Sequence, residues 1–322
     1  MSLSARHINL EPCVEPLRLP HPADYSPIAT AVSYGGEAIR LFVHNDLLAP
    51  VFATDTVSGF TTFPVPRTSG EYSGILFISD SWGSEELAVN KLTATYPIIE
   101  LLPSRELLVV APRCRRYSDE TYDKNARVYA ASGEPVRDFL LGDGIEEIQV
   151  DKLGQIWVSY FDEGVFGNFG WKTPIGSAGL CCFDASGQRI WEYQPPSGFD
   201  HICDCYAMNV SRDGAWVYYY TEFPIVRIDA DWRSEGWKSP SSGARALAVR
   251  QNRVLLYGGY SERRTACQLL QLGAEQAEVL ASVSLTLPYG VDLSKAVVIG
   301  RDTDLHVFAD DQWYRFSLES LV

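Results

Sequence analysis

Apolar and polar residues alternate in short, paired runs along most of the chain. From Ile145 the sequence reads IEEIQVDKLGQIWVSYF, and from Cys205 it reads CYAMNVSRDGAWVYYYT. Each is an apolar strand, a turn ending in glycine, and a second strand of aromatic and β-branched residues, the composition suited to a pleated, half-buried surface. Val150, Gly154 and Tyr160 of the first fall on Val210, Gly214 and Tyr220 of the second, a shift of 60. A second echo lies in YAASGEPV at 129–136 and FDASGQRI at 183–190, which share Ala-Ser-Gly at a turn between strands. Weaker copies of the first hairpin occupy 29–45, 98–112, 245–259 and 295–309.

Six meanders of about fifty residues each predict an all-β chain, a six-bladed β-propeller of four-stranded antiparallel blades forming a single domain over 1–322. The last unit shows only three strands, so the N-terminal CVEPLRLP, from Cys13, is expected as the strand that closes it and removes an open edge. Residues 67–95 read as an insertion between the first and second blades. Within them, DSWGSEELAVNKL at 80–92 is the one segment with helical periodicity.

Composition narrows the function classes. The hydrophobic fraction of 46% supports a large core, and the net charge of -14 disfavours nucleic acid. The same charge would attract a basic protein or a cationic ligand. No apolar run approaches a membrane span and no leader pattern opens the chain, so the expectation is a cytoplasmic protein without membrane contact. Seven cysteines scattered through strand-like segments fit reduced thiols.

In such meanders the turns at one end are short (DKLG, SRDG, ASGE), whereas the connections at the other are long and polar: 112–126, 161–178 and 258–266. Long loops on a rigid scaffold usually carry function, which makes this the candidate face. Glu146, Asp204, Tyr206 and Arg245 begin inner strands there, and Arg113, Asp162, Glu163 and Glu222 come from its loops. The loop rings Phe166, Phe169 and Trp171 in GVFGNFGW alternate with glycine, as a lid or a partner anchor would.

HICDCYAMNV at 201–210 resembles a metal cluster only at first sight. On a strand, neighbours on one face stand about 6.5 Å apart, too far for two thiolates on one zinc, so no metal site is assigned and Cys205 is expected as a small buried hydrophobe. No nucleophile elbow, phosphate loop, zinc-protease or calcium-loop motif occurs. GDG at 142–144 reads as a turn, and His306 as packing between blades. No cofactor is called for; a divalent cation would enter only through oxygen, were Asp162 and Glu146 to converge.

The stretches GDGIEEIQVDKLGQIWVSYFDEGVFGNFGW, DCYAMNV and YYYTEFPIVRI resemble a group of bacterial six-bladed propellers related to the NHL-like class. The resemblance runs from about residue 96 to 260. It implies the fold and the candidate face, and no reaction. Calcium-dependent lactonases of similar architecture have local motifs that are missing around Glu146, Asn209 and Asp204.

Two readings stand. In the first, the chain is a binding module that captures a protein partner, in the manner of an immunity or scaffold protein, with anchors at Phe169 and Trp171 and rim charges at Arg115, Glu163 and Arg264. In the second, it is a hydrolase or isomerase acting on a small polar ligand, with Glu146, Asp162, Asp204 and Tyr206 as acid–base groups or metal ligands.

Overall fold

The computed structural model of the protein describes residues 4–9, 20–57, 61–260, 264–288 and 291–321. Successive antiparallel sheets follow one another in chain order and make a six-bladed β-propeller. The chain divides into two compact units.

The unit Pro20–Tyr193 carries three blades. The first is Tyr25–Val32, Ala38–His44, Arg67–Ser79 and Ser84–Ala94; the second Ile98–Leu101, Leu107–Val110, Ala126–Tyr129 and Pro135–Phe139; the third Ile145–Val150, Ile156–Tyr160, Leu180–Phe183 and Arg189–Glu192. One apolar layer joins the first and second blades through Leu41, Leu76, Ile99 and Val109, and another joins the second and third through Leu108, Val128, Ile148 and Val158. Second-strand residues therefore bury on both faces, which explains their continuous apolar runs.

The other unit comprises Met1–Leu19 and Gln194–Val322. Its blades are Asp204–Ser211, Gly214–Tyr220, Ile225–Ile228 and Ser234–Trp237; then Ala246–Arg250, Arg253–Tyr257, Ala266–Leu272 and Ala277–Thr286; then Val297–Arg301, Asp304–Ala309 and Gln312–Ser317. Asn209, fully buried, clamps three inner strands: its amide donates to the carbonyls of Leu247 (2.7 Å) and Asp302 (3.0 Å), and its oxygen accepts from the Asp302 N–H (2.9 Å). Every polar atom of this side chain is thus bonded, the condition for burying it.

Two sequence expectations change. Residues 67–95 are not an insertion: they supply the third and fourth strands of the first blade, and the added residues are 45–66, which hold two short helical turns and the hairpin Thr54–Val57 with Thr61–Pro64. The helix expected at 80–92 is a hairpin turn and a strand, its ladder to Arg67–Ser79 overriding the helical spacing. The N-terminal strand Ser4–Asn9 pairs in parallel with Ala277–Thr286 of the fifth blade. Cys13 to Leu19 of the expected closing strand lie outside the described residues.

The register also corrects the repeat. Val150 pairs with Ile156, but Val210 pairs with Ala215, because the turn of the fourth blade is one residue tighter. The second strands therefore align with a shift of 59, and Tyr160 corresponds to Tyr219. Both rings are buried, and both phenols donate to the chain entering their blade, Tyr160 to the Leu141 carbonyl and Tyr219 to that of Asp200. Among the described residues no helix is long and apolar enough to cross a membrane.

Candidate functional site

Arg113 begins the long connection of the second blade and is 4% exposed. Its Nε and Nη2 donate to the two oxygens of Asp143, each at 3.0 Å, and its Nη1 pairs with Glu163. Asp143 accepts a third bond from the Cys114 N–H at 2.7 Å. Burial raises the Asp143 carboxyl above its usual range, while Arg113 and the Cys114 N–H pull it down. The guanidinium also lies 4.3 Å from the centre of the Phe169 ring, with Phe161 and Phe63 farther out. A planar cation held bidentately and stacked on rings is a role for which lysine is no substitute.

Glycines permit this packing. Gly144, at φ +69°, faces Gly164 in the turn Asp162–Phe166, and a Cβ on Gly144 would stand 2.3 Å from the Gly164 nitrogen. The GDG stretch is therefore more than a turn: it carries the buried counter-ion and admits the neighbouring loop. Trp171 is 7% exposed and donates from Nε1 to the Cys114 carbonyl at 2.8 Å.

Of the candidates in this unit, the structure brings Arg113, Glu163, Phe169 and Arg115 together, Arg115 being exposed with its guanidinium 5.0 Å from the centre of the Phe169 ring. Trp171, expected as an exposed anchor, is buried, because the loop folds back beneath Arg116 and Tyr122. Asp162 is exposed and accepts from the Glu163 N–H at 2.7 Å. Glu146 is exposed at a β-bulge between Ile145 and Glu147. The rings that face outward instead are Tyr117 (44%), Tyr122 (49%) and Phe166 (68%). Residues missed by sequence reasoning are Asp143 and Phe63, whose partners come from segments far along the chain.

In the other unit, Tyr206 occupies the matching bulge of the fourth blade, between Cys205 and Ala207. Its oxygen accepts from the Tyr260 hydroxyl at 2.8 Å, and burial together with that bond raises its phenol pKa. The centre of this site is Phe223, ringed by Tyr206, Tyr218, Tyr220 and Tyr260 with centroids 5.0 to 6.0 Å away. Asp204 opens the strand half-buried, whereas Glu222, Arg245 and Arg264 are exposed. Cys205 is buried, and His201 and Cys203 precede the strand. Among the described residues no three His, Cys, Asp or Glu side chains assemble as metal ligands.

The family model described as the YxzG family matches residues 176–311. No curated protein sequence matches the chain. Among solved structures, similarity is found to a catalytically inactive virginiamycin B lyase from Staphylococcus aureus with quinupristin, at 12% identity and TM-score 0.42, covering 92% of this chain and 96% of that one. It is also found to YCF48 bound to D1 peptide, at 13% identity and TM-score 0.43, covering 94% and 95%. A third is the β-propeller domain of the Trilobed protease from Pyrococcus furiosus, at 12% identity and TM-score 0.43, covering 91% and 82%. At this distance none of them carries a ligand, partner or activity over to this chain.

Proposed function

We propose that the protein is a binding module that captures a protein partner on the loops 112–126 and 161–178. The observation that carries this reading is the Arg113 centre: one buried cation ties both loops to the blade, while Tyr117, Tyr122 and Phe166 remain exposed above it. Rigid loops lose little freedom on association, and tyrosines offer large contact area at low entropic cost. The anchors are thus Tyr117, Tyr122 and Phe166, with Arg115 at the rim, and Phe169 and Trp171 act by holding them in place.

A photo-crosslinking residue at Phe166 tests this in lysate of the native host, with Leu153 as the control. Leu153 is 73% exposed on the short turn at the opposite end of the same blade. One adduct of fixed size at 166, absent at 153 and lost in a Tyr117→Ala background, is the expected result. Equal adducts at both positions, or none at 166, would overturn the reading.

A further inference from the structure

A cavity of about 370 Å³ lies in the unit Pro20–Tyr193, between the outer strands of the first blade and the second blade. That volume falls at the lower end of the range for small-ligand sites. It exists because the first blade's outer strands slip out of register there: Arg67 pairs with Ala94, Tyr72 with Leu92, and Gly74 with Val89. Such bulges re-aim side chains and end regular pairing. Lys91, at φ +56°, sits in the irregular stretch, and its carbonyl accepts from Arg127 Nη1 (2.8 Å) and from the Tyr129 hydroxyl (3.2 Å). The opening is therefore tied in place from the second blade.

Its walls are of two kinds. Ala94, Val109, Ala111 and Tyr129 are apolar and buried. At the rim, Arg127 is held bidentately by Asp138, and Arg67 pairs with Asp123. Arg113 is held by two carboxylates, Asp143 and Glu163, so the one lining cation without an ion pair among the described residues is Lys124, which is exposed. An ammonium free of any direct carboxylate contact beside an apolar wall matches one anionic group on an apolar body.

We propose that this cavity binds an organic carboxylate, with the anion at Lys124 and the body against Val109, Ala111 and Tyr129. The carboxylate can belong to a free small molecule or to an acidic side chain of a peptide, and the site borders the proposed partner surface, sharing Tyr122 and the loop 112–126 with it, without resting on that reading.

Calorimetric titration with 3-phenylpropionate, its neutral amide, and an end-blocked Phe-Glu dipeptide tests it. Binding of an acid is expected to weaken about tenfold or more in Lys124→Glu. It should vanish in Thr93→Trp, which fills the cavity from a half-buried wall position, with thermal melting confirming that both variants fold. Binding of the dipeptide in competition with phenylpropionate assigns the carboxylate to a peptide; binding of phenylpropionate alone assigns it to a free acid. Absence of binding by both acids at millimolar concentration, equal binding of the amide, or unchanged binding in Thr93→Trp would overturn the proposal.

Discussion

In the third blade the chain runs from Phe161 to Gly179 before its next strand; in the fourth it needs only Thr221 to Pro224. Both connections leave equivalent second strands, after tyrosines that make the same bond, yet their centres differ in kind. The long loop is organised around a buried cation with two carboxylates and three rings, and the short one around Phe223 and four tyrosines. A long loop buries backbone and polar groups that must find partners, so a multivalent centre such as a guanidinium organises it. A short loop has few such groups, and one apolar ring suffices to seal it.

The largest test of this difference is Arg113→Ala, which strands a buried carboxylate and should cost about 3–5 kcal/mol in urea unfolding. The double replacement Arg113→Met with Asp143→Leu should recover most of that loss, since no charge then remains unpaired. A cost below about 1 kcal/mol for the single variant would remove the charged centre from the comparison.

Phe223→Ala should follow at about 2–4 kcal/mol, a cavity loss in a position 8% exposed, and should show no dependence on salt. A marked salt dependence there would show that the aromatic centre also relies on charge.

Acid separates both centres from a buried histidine. His306 is stacked on Trp313, whose indole N–H it accepts at 3.1 Å, and burial, aided by Arg315 and Arg301, lowers its pKa to about 3. Folded His306 is therefore neutral where the unfolded residue, near 6.5, gains a proton, so its contribution is full above about pH 6.5 and declines as pH falls toward 3. Unfolding at pH 5 should cost about 2 kcal/mol less than at pH 7, and a His306→Phe variant should flatten that slope. An unchanged slope would assign acid sensitivity to the Arg113 centre instead.

The smallest effects sharpen the register. Tyr160→Phe and Tyr219→Phe should each lose about 1 kcal/mol, one buried hydrogen bond apiece, whereas exposed Tyr220→Phe should stay within about 0.5 kcal/mol. If Tyr220 behaved as Tyr160 does, the shift of 60 would be the right alignment after all.

Much of the architecture was readable in the chain itself. Strand alternation and glycine turns are local, so IQVDKLGQIWVSY and MNVSRDGAWVYYY announce hairpins without reference to anything distant. The candidate face was readable for the same reason, since loop length needs only the strand ends. Burial of Trp171 was not, because its indole partner, Cys114, lies 57 positions away. Neither was the role of Asp143, a turn residue until Arg113 arrives from 30 positions upstream.

The amino-acid sequence by itself determined a repeating all-β chain, its turns and the end at which its loops are long, because each depends on residues a few positions apart. Only the tertiary structure decided which loop side chains become internal supports and which remain exposed, that 67–95 completes a blade, and that the second strands align by 59. Those outcomes depend on pairing and charge neutralisation between segments whose meeting no local pattern records.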